Sequence, residues 1–114
     1  MCAPTSVVMV VYDPFLLVRG AIFNQERVLV HLREIEAFGR ENFFYRAAGL
    51  AMKAQRVVEV GSPDLIDTMF RQACEHARSC DVTPGTDVTE RVVCAAIARV
   101  LFGLSRHERN RRHG

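Results

Sequence analysis

The chain has no tryptophan, a single lysine (Lys53), two tyrosines and four prolines, and no uninterrupted apolar run of membrane-spanning length. Each shortage excludes something. A spanning helix needs about 20 consecutive apolar residues. The longest candidate, "VVCAAIARVLFGL", is broken by Arg99, so no membrane span is expected. No basic stretch leads into an apolar one at the start of the chain, so no secretory leader is read and a cytoplasmic location is expected.

Metal and catalytic patterns are equally scarce. Structural zinc takes four ligands in paired short spacings, and Cys2, Cys74, Cys80, Cys94 and the four histidines supply no such pairs. Within "CEHARSC" His76 and Cys80 share a helical face, but Cys74 lies on the opposite side. A di-iron bundle requires two Glu-x-x-His pairs, and the chain contains none. There is no Gly-x-Ser-x-Gly elbow and no glycine-rich phosphate loop. His31, Glu34 and Tyr45 are of catalytic type, yet no spacing fixes them in one cleft. No metal, no cofactor and no enzymatic activity are expected. The cysteine spacings fit no disulfide scaffold, and 114 residues are enough for a core without one.

What is present is apolar. A hydrophobic fraction of 49% beside 25% charged residues describes one folded domain rather than a disordered chain. The net charge of +2 is unevenly spread. Residues 106–114 carry Arg106, Arg109, Arg111 and Arg112 against Glu108, whereas residues 1–105 hold eleven basic and twelve acidic side chains. The chain therefore divides into a helical domain, 1–105, whose first twelve residues form an apolar arm, and a basic C-terminal tail, 106–114. Arginine suits phosphate recognition. Its excess over lysine runs through the whole chain, however, as a GC-rich genome would write it, so it does not single out the tail.

The segment "SVVMVVY" (6–12) is β-branched without polar alternation, which suits a short buried strand or an arm packed on something else. Asp13-Pro14 then reads as a cap and first turn opening a short helix, with a hairpin over 7–23 as the rival. Asn24 caps "QERVLVHLREIEAF", whose stripe is Val28, Leu32 and Ile35 with Leu29 and Phe38, closed by Gly39. "RENFFYRAAGLAMKAQRVVEV" repeats the pattern and ends at Gly61. Ser62-Pro63-Asp64 is the clearest helix start. It opens a helix with Ile66, Met69, Phe70, Ala73 and Ala77 on one face and a ladder of Asp67, Arg71, Glu75 and Arg78 on the other. "DVTPGT" (81–86) is a turn. Asp87 and Glu90 resemble a capping box opening a last helix that Gly103 stops. The fold class expected is mainly α, a small bundle or orthogonal array of four to five helices with the N-terminal strand or arm attached. The alanine faces Ala47, Ala51, Ala54 and Ala95, Ala96, Ala98 suit close packing of the second helix on the last.

Two functional expectations follow. The arm and the last helix each lack a polar face, and a small monomer can bury one such element more readily than two. Val8, Val10, Tyr12, Val93, Ile97, Val100 and Leu101 are thus expected to line a partner or homodimer interface. The function this implies is a non-catalytic protein–protein interaction module, a small regulator of the inhibitor or anti-activator type that occludes a partner such as a transcription factor, or an adaptor. The alternative is a small nucleic-acid-binding protein gripping phosphates with Arg106, Arg109, Arg111 and Arg112. Without an interleaved aromatic that grip is weak, and the tail is expected to be solvated. A helix-turn-helix reading of 62–80 and 87–102 fails, because its recognition helix offers only Arg91 and Arg99 to base edges.

Overall fold

The computed structural model describes residues 23–80 and 89–113. They form four helices: α1 (Gln25–Glu41), α2 (Tyr45–Val60), α3 (Pro63–Ser79) and α4 (Glu90–His113). There is no strand among the described residues. The expected small helical bundle is therefore present. The strand-or-arm at 6–12, the helix-or-hairpin at 13–23 up to residue 22, and the turn at 81–86 lie outside the described residues.

Local signals account for most helix ends. The Asn24 Oδ1 accepts from the Arg27 N–H at 2.9 Å and caps α1. Gly61 ends α2 at φ 77°, a left-handed conformation that glycine adopts without steric cost. Pro63 stands in the first turn of α3, with Asp64 at the positive end of its dipole.

The helices pair as two antiparallel hairpins, α1 with α2 and α3 with α4. Gln25, at the start of α1, donates its side-chain N–H to the Val58 carbonyl near the end of α2, at 2.7 Å. Midway along, the Gln55 amide donates to Glu36 Oε1 at 2.7 Å, and Arg40 holds the other oxygen of the same carboxylate. These contacts, the Gln55 hydrogen bond first, pull the Glu36 carboxyl below its ordinary pKa.

The core runs between the hairpins. Val28, Leu32 and Ile35 of α1 meet Ala47, Ala51, Ala54 and Val58 of α2, with Ile66, Met69 and Ala73 of α3 and the apolar face of α4. Ala96 and Ala98 are buried and Ala95 is partly buried, and α2 does pack on α4, as the alanine faces suggested.

Three helix boundaries differ from the sequence reading: α2 begins only at Tyr45, residues 42–44 of "RENFFY" forming the junction. Gly39 does not close α1, which continues to Glu41. Its missing side chain instead admits α2, since a Cβ there would stand 3.1 Å from the Phe44 carbonyl oxygen and 3.2 Å from Ala48. Nor does Gly103 stop α4, which runs a further ten residues to His113. A Cβ at Gly103 would lie 2.6 Å from Cγ of Phe23, so this glycine is there for close approach.

Candidate functional site

At one end of the bundle the α1–α2 junction meets the end of α3 and the start of α4. Here the sequence "ENFFY" leaves one helix and enters the next. The Phe44 N–H donates to the Gly39 carbonyl at 2.7 Å and the Phe43 N–H to the Arg40 carbonyl at 3.3 Å, the paired bonds of a Schellman ending. The hydrophobic contact that accompanies that motif is the Phe38–Phe44 ring pair, 6.2 Å between centroids. The motif puts its next-to-last residue in the left-handed region. That residue is Phe43, at φ 61°, the one non-glycine residue with positive φ among those described.

Phe43 is 76% exposed and Tyr45 64% exposed. Their rings meet edge to face, 6.2 Å apart. A bulky residue in the left-handed region carries a cost of about 1–2 kcal/mol relative to glycine. Phe44 turns inward; Phe43 and Tyr45 cannot follow it and stand outward as a pair.

The frame beneath this pair is cross-braced by long-range contacts. No side chain of Phe44 can cap α2, and the Glu90 carboxylate of α4 takes that role, accepting from the Ala47 N–H at 3.0 Å. Glu90 was expected to serve Asp87 in a capping box; Asp87 lies outside the described residues. Arg46 donates to Ser79 Oγ at 3.1 Å. Arg91 donates to the Ala77, Arg78 and Cys80 carbonyls at 3.0, 3.3 and 3.4 Å and so satisfies the open end of α3.

The residues singled out from the sequence fall elsewhere. Val8, Val10 and Tyr12 lie outside the described residues. Val93, Ile97, Val100 and Leu101 are corrected from an interface to a core: all four are at most 1% exposed within the single chain. The reason is position. α4 touches α1, α2 and α3, and a helix apolar nearly all round is what a central position requires.

The basic tail continues α4 as helix, and its Arg106, Arg109 and Arg111 side chains stay exposed. Ser105 Oγ donates to Asp67 Oδ1 at 2.6 Å, and Arg109 pairs with the other oxygen of that carboxylate. The Ser105 hydrogen bond, then Arg109, hold Asp67 below its ordinary pKa. Asp67 thus reaches across to α4, with Arg71 of its own helix adding a weaker electrostatic pull. Arg111 pairs with Glu108 at 3.5 Å. The Arg106 guanidinium lies 5.7 Å from the Phe102 ring centroid. The Arg112 side chain lies outside the described residues. Arg106, Arg109 and Arg111 therefore have partners of their own before any phosphate arrives.

A folded carboxylate with lowered pKa stabilises above the ordinary aspartate range, and that stabilisation is lost as pH falls through the lowered value. Asp67→Asn is accordingly expected to cost about 1–2 kcal/mol at pH 7. The gap to wild type should narrow as pH falls below the ordinary aspartate range and through the lowered value. Urea titrations at several pH values measure it. A gap independent of pH would show that the charge on Asp67 contributes nothing.

Catalytic and metal arrangements do not assemble among the described residues. His31 lies about 16 Å of helix before the α1–α2 junction, at 1.5 Å per residue, so it does not meet Tyr45. No group of three or more His, Cys, Asp or Glu side chains is placed to hold a metal ion among the described residues. An open cleft of about 330 Å³ at the other end of the bundle is lined by Asn24, Gln25, Glu26, Leu29, Glu108 and Arg111, without a nucleophile or histidine. No described helix is long and apolar enough to cross a membrane. Compared with known proteins, the chain matches no family model, no curated protein and no solved structure.

Sequence reasoning passed over the Phe43–Tyr45 corner. The signal was three consecutive aromatics at a junction with no glycine, where a single inward-facing position cannot accommodate them all.

Proposed function

We propose that this chain is a non-catalytic protein–protein interaction module, a small regulator or adaptor that occludes its partner, and that the Phe43–Tyr45 corner anchors the contact. One observation supports this most. An aromatic residue occupies a left-handed position where glycine would be more stable, and it spends that position exposed to water. Strain held at a surface residue is a feature of functional sites, and exposed aromatics are enriched among the residues that dominate binding. The braces from Glu90, Arg46 and Arg91 keep the corner pre-organised, which lowers the ordering cost of association.

Self-association through α4 is not part of this reading, since its apolar face is used within the monomer. The alternative, phosphate binding by the tail, is weakened by the pairing of Arg109 and Arg111 with the chain's own carboxylates.

Phe43→Gly separates function from folding. It removes the left-handed penalty but also the edge contact with Tyr45, so stability is expected to be unchanged or raised by up to about 1 kcal/mol. A photo-crosslinking amino acid at position 45 should capture a specific protein from native lysate, with nuclease present throughout. The same label at Val60, exposed on α2, serves as the control. Phe43→Gly should abolish the position-45 capture. Equal capture from both positions, or capture indifferent to Phe43→Gly, would remove the corner from the proposal.

A further inference from the structure

Cys80 and Cys94 are free, buried thiols whose sulfurs stand 3.8 Å apart. A disulfide bond is about 2.05 Å long, so the two sulfurs are already in contact and close by moving less than about 2 Å. Cys80 is the C-cap of α3: its backbone angles are extended (φ −73°, ψ 137°), and its N–H makes the last hydrogen bond of the helix, to the His76 carbonyl at 3.1 Å. Its surroundings are cationic: Arg46 Nη1 approaches Cys80 Sγ to 4.0 Å, and Arg91 holds the Cys80 carbonyl. Cys94 is different, with no exposure and a place in the core on α4.

We propose that Cys80 and Cys94 are an oxidisable dithiol, converted by hydrogen peroxide to a disulfide that ties the end of α3 to the start of α4. The Cys80 thiolate attacks one peroxide oxygen; the O–O bond breaks, Cys80 becomes a sulfenic acid and the departing hydroxide takes a proton to leave as water. Cys94 then attacks the sulfenic sulfur, the S–O bond breaks, and the leaving hydroxide carries off the Cys94 proton as a second water. Two thiols are oxidised and one peroxide is reduced to two waters. Burial first, then the neighbouring Cys80, pushes the Cys94 thiol up to about 12. Position then assigns the attack to Cys80, at the end of α3, and the resolution to Cys94, which has no exposure in the core.

Cys74, half-buried on α3, is the competing thiol among the described residues, Cys2 is the fourth cysteine of the sequence, and the experiment separates both from the pair. The full chain is treated with a small excess of hydrogen peroxide and its intact mass measured. A loss of about 2 Da, restored by dithiothreitol, is expected. Trypsin cuts after Arg78, Arg91 and Arg99, so the bond should join peptide 79–91 to peptide 92–99. Closing the 15-residue span 80–94 should raise Tm by about 5–10 °C. Cys80→Ser and Cys94→Ser should each abolish the mass loss, and Cys74→Ser should not. The wild-type peptide map stands alone if a buried serine prevents folding. Sulfinic acid on Cys80 without a cross-link, a disulfide through Cys74, or no reaction at a peroxide concentration that oxidises free cysteine would each overturn the proposal.

Discussion

Val93→Glu is expected to unfold the chain, while Val92→Glu next to it leaves the fold intact. Val93 has no exposure and faces the centre of the bundle; Val92 is 44% exposed. An unpaired carboxylate at Val93 must either be desolvated or take up a proton at neutral pH, and it also breaks close packing. The cost is several kcal/mol, set against about 5–15 kcal/mol of total stability for a domain. At Val92 the same carboxylate stays in water. It also lies in the first turn of α4, where the helix dipole favours negative charge, so the change should stay within about 0.5 kcal/mol. Circular dichroism at 222 nm with urea unfolding reads both. A folded, monomeric Val93→Glu protein would mean that this face of α4 is an interface and not the core.

That contrast shows where sequence reasoning carried and where it stopped. Helices marked by residues close in sequence were legible. Asn24 as a cap, the Pro63-Asp64 first turn and the Gly61 end each act over one turn, and each is where local chemistry puts it; Ser62 holds the N-cap position of α3 without a side-chain hydrogen bond to the helix. The interior stripe of α1, Val28, Leu32 and Ile35, was legible for the same reason. The role of α4 was not. A helix without a polar face signals burial, but period alone does not say whether its own chain or a partner covers it. Here three helices of the same chain do.

The braces were also out of reach. Glu90 caps α2 from 43 residues away and Arg91 closes α3 from beyond the α3–α4 connection. Each satisfies groups at a helix end that its own neighbours leave open: Phe44 cannot cap α2, and at the end of α3 the Ser79 hydroxyl and the Cys80 N–H both go to the His76 carbonyl. The helical form of the tail was out of reach on similar grounds. "RHERNRR" has no apolar face, and the pairing of its exposed Arg109 depends on Asp67 of another helix. The exposed aromatic corner then follows from the same turn that orders the junction: the Schellman geometry places Phe43 outward whatever side chain it carries.

Gly103→Ala is expected to destabilise the protein although it improves the helix. Alanine exceeds glycine in helix propensity by about 1 kcal/mol, and Gly103 sits inside α4. Opposing this, the new methyl would lie 2.6 and 2.7 Å from Cγ and Cδ2 of Phe23, at the base of a ring that is itself buried. Atoms near the root of a packed ring cannot swing clear as a flexible chain end can. Overpacking of this kind costs about 1–3 kcal/mol, and with a contact this short the clash should outweigh the propensity gain by about 1–2 kcal/mol. Gly49→Ala isolates the propensity alone, because an added Cβ there meets nothing within 4 Å on the exposed side of α2. It should stabilise by about 0.5–1 kcal/mol. The double-mutant cycle settles the cause. With Phe23→Ala the ring is gone, and Gly103→Ala should change sign and become stabilising by up to about 1 kcal/mol. An unchanged loss in that background would place the penalty on the α4 backbone rather than on the ring, and would leave the close approach of residue 23 to α4 without an energetic role.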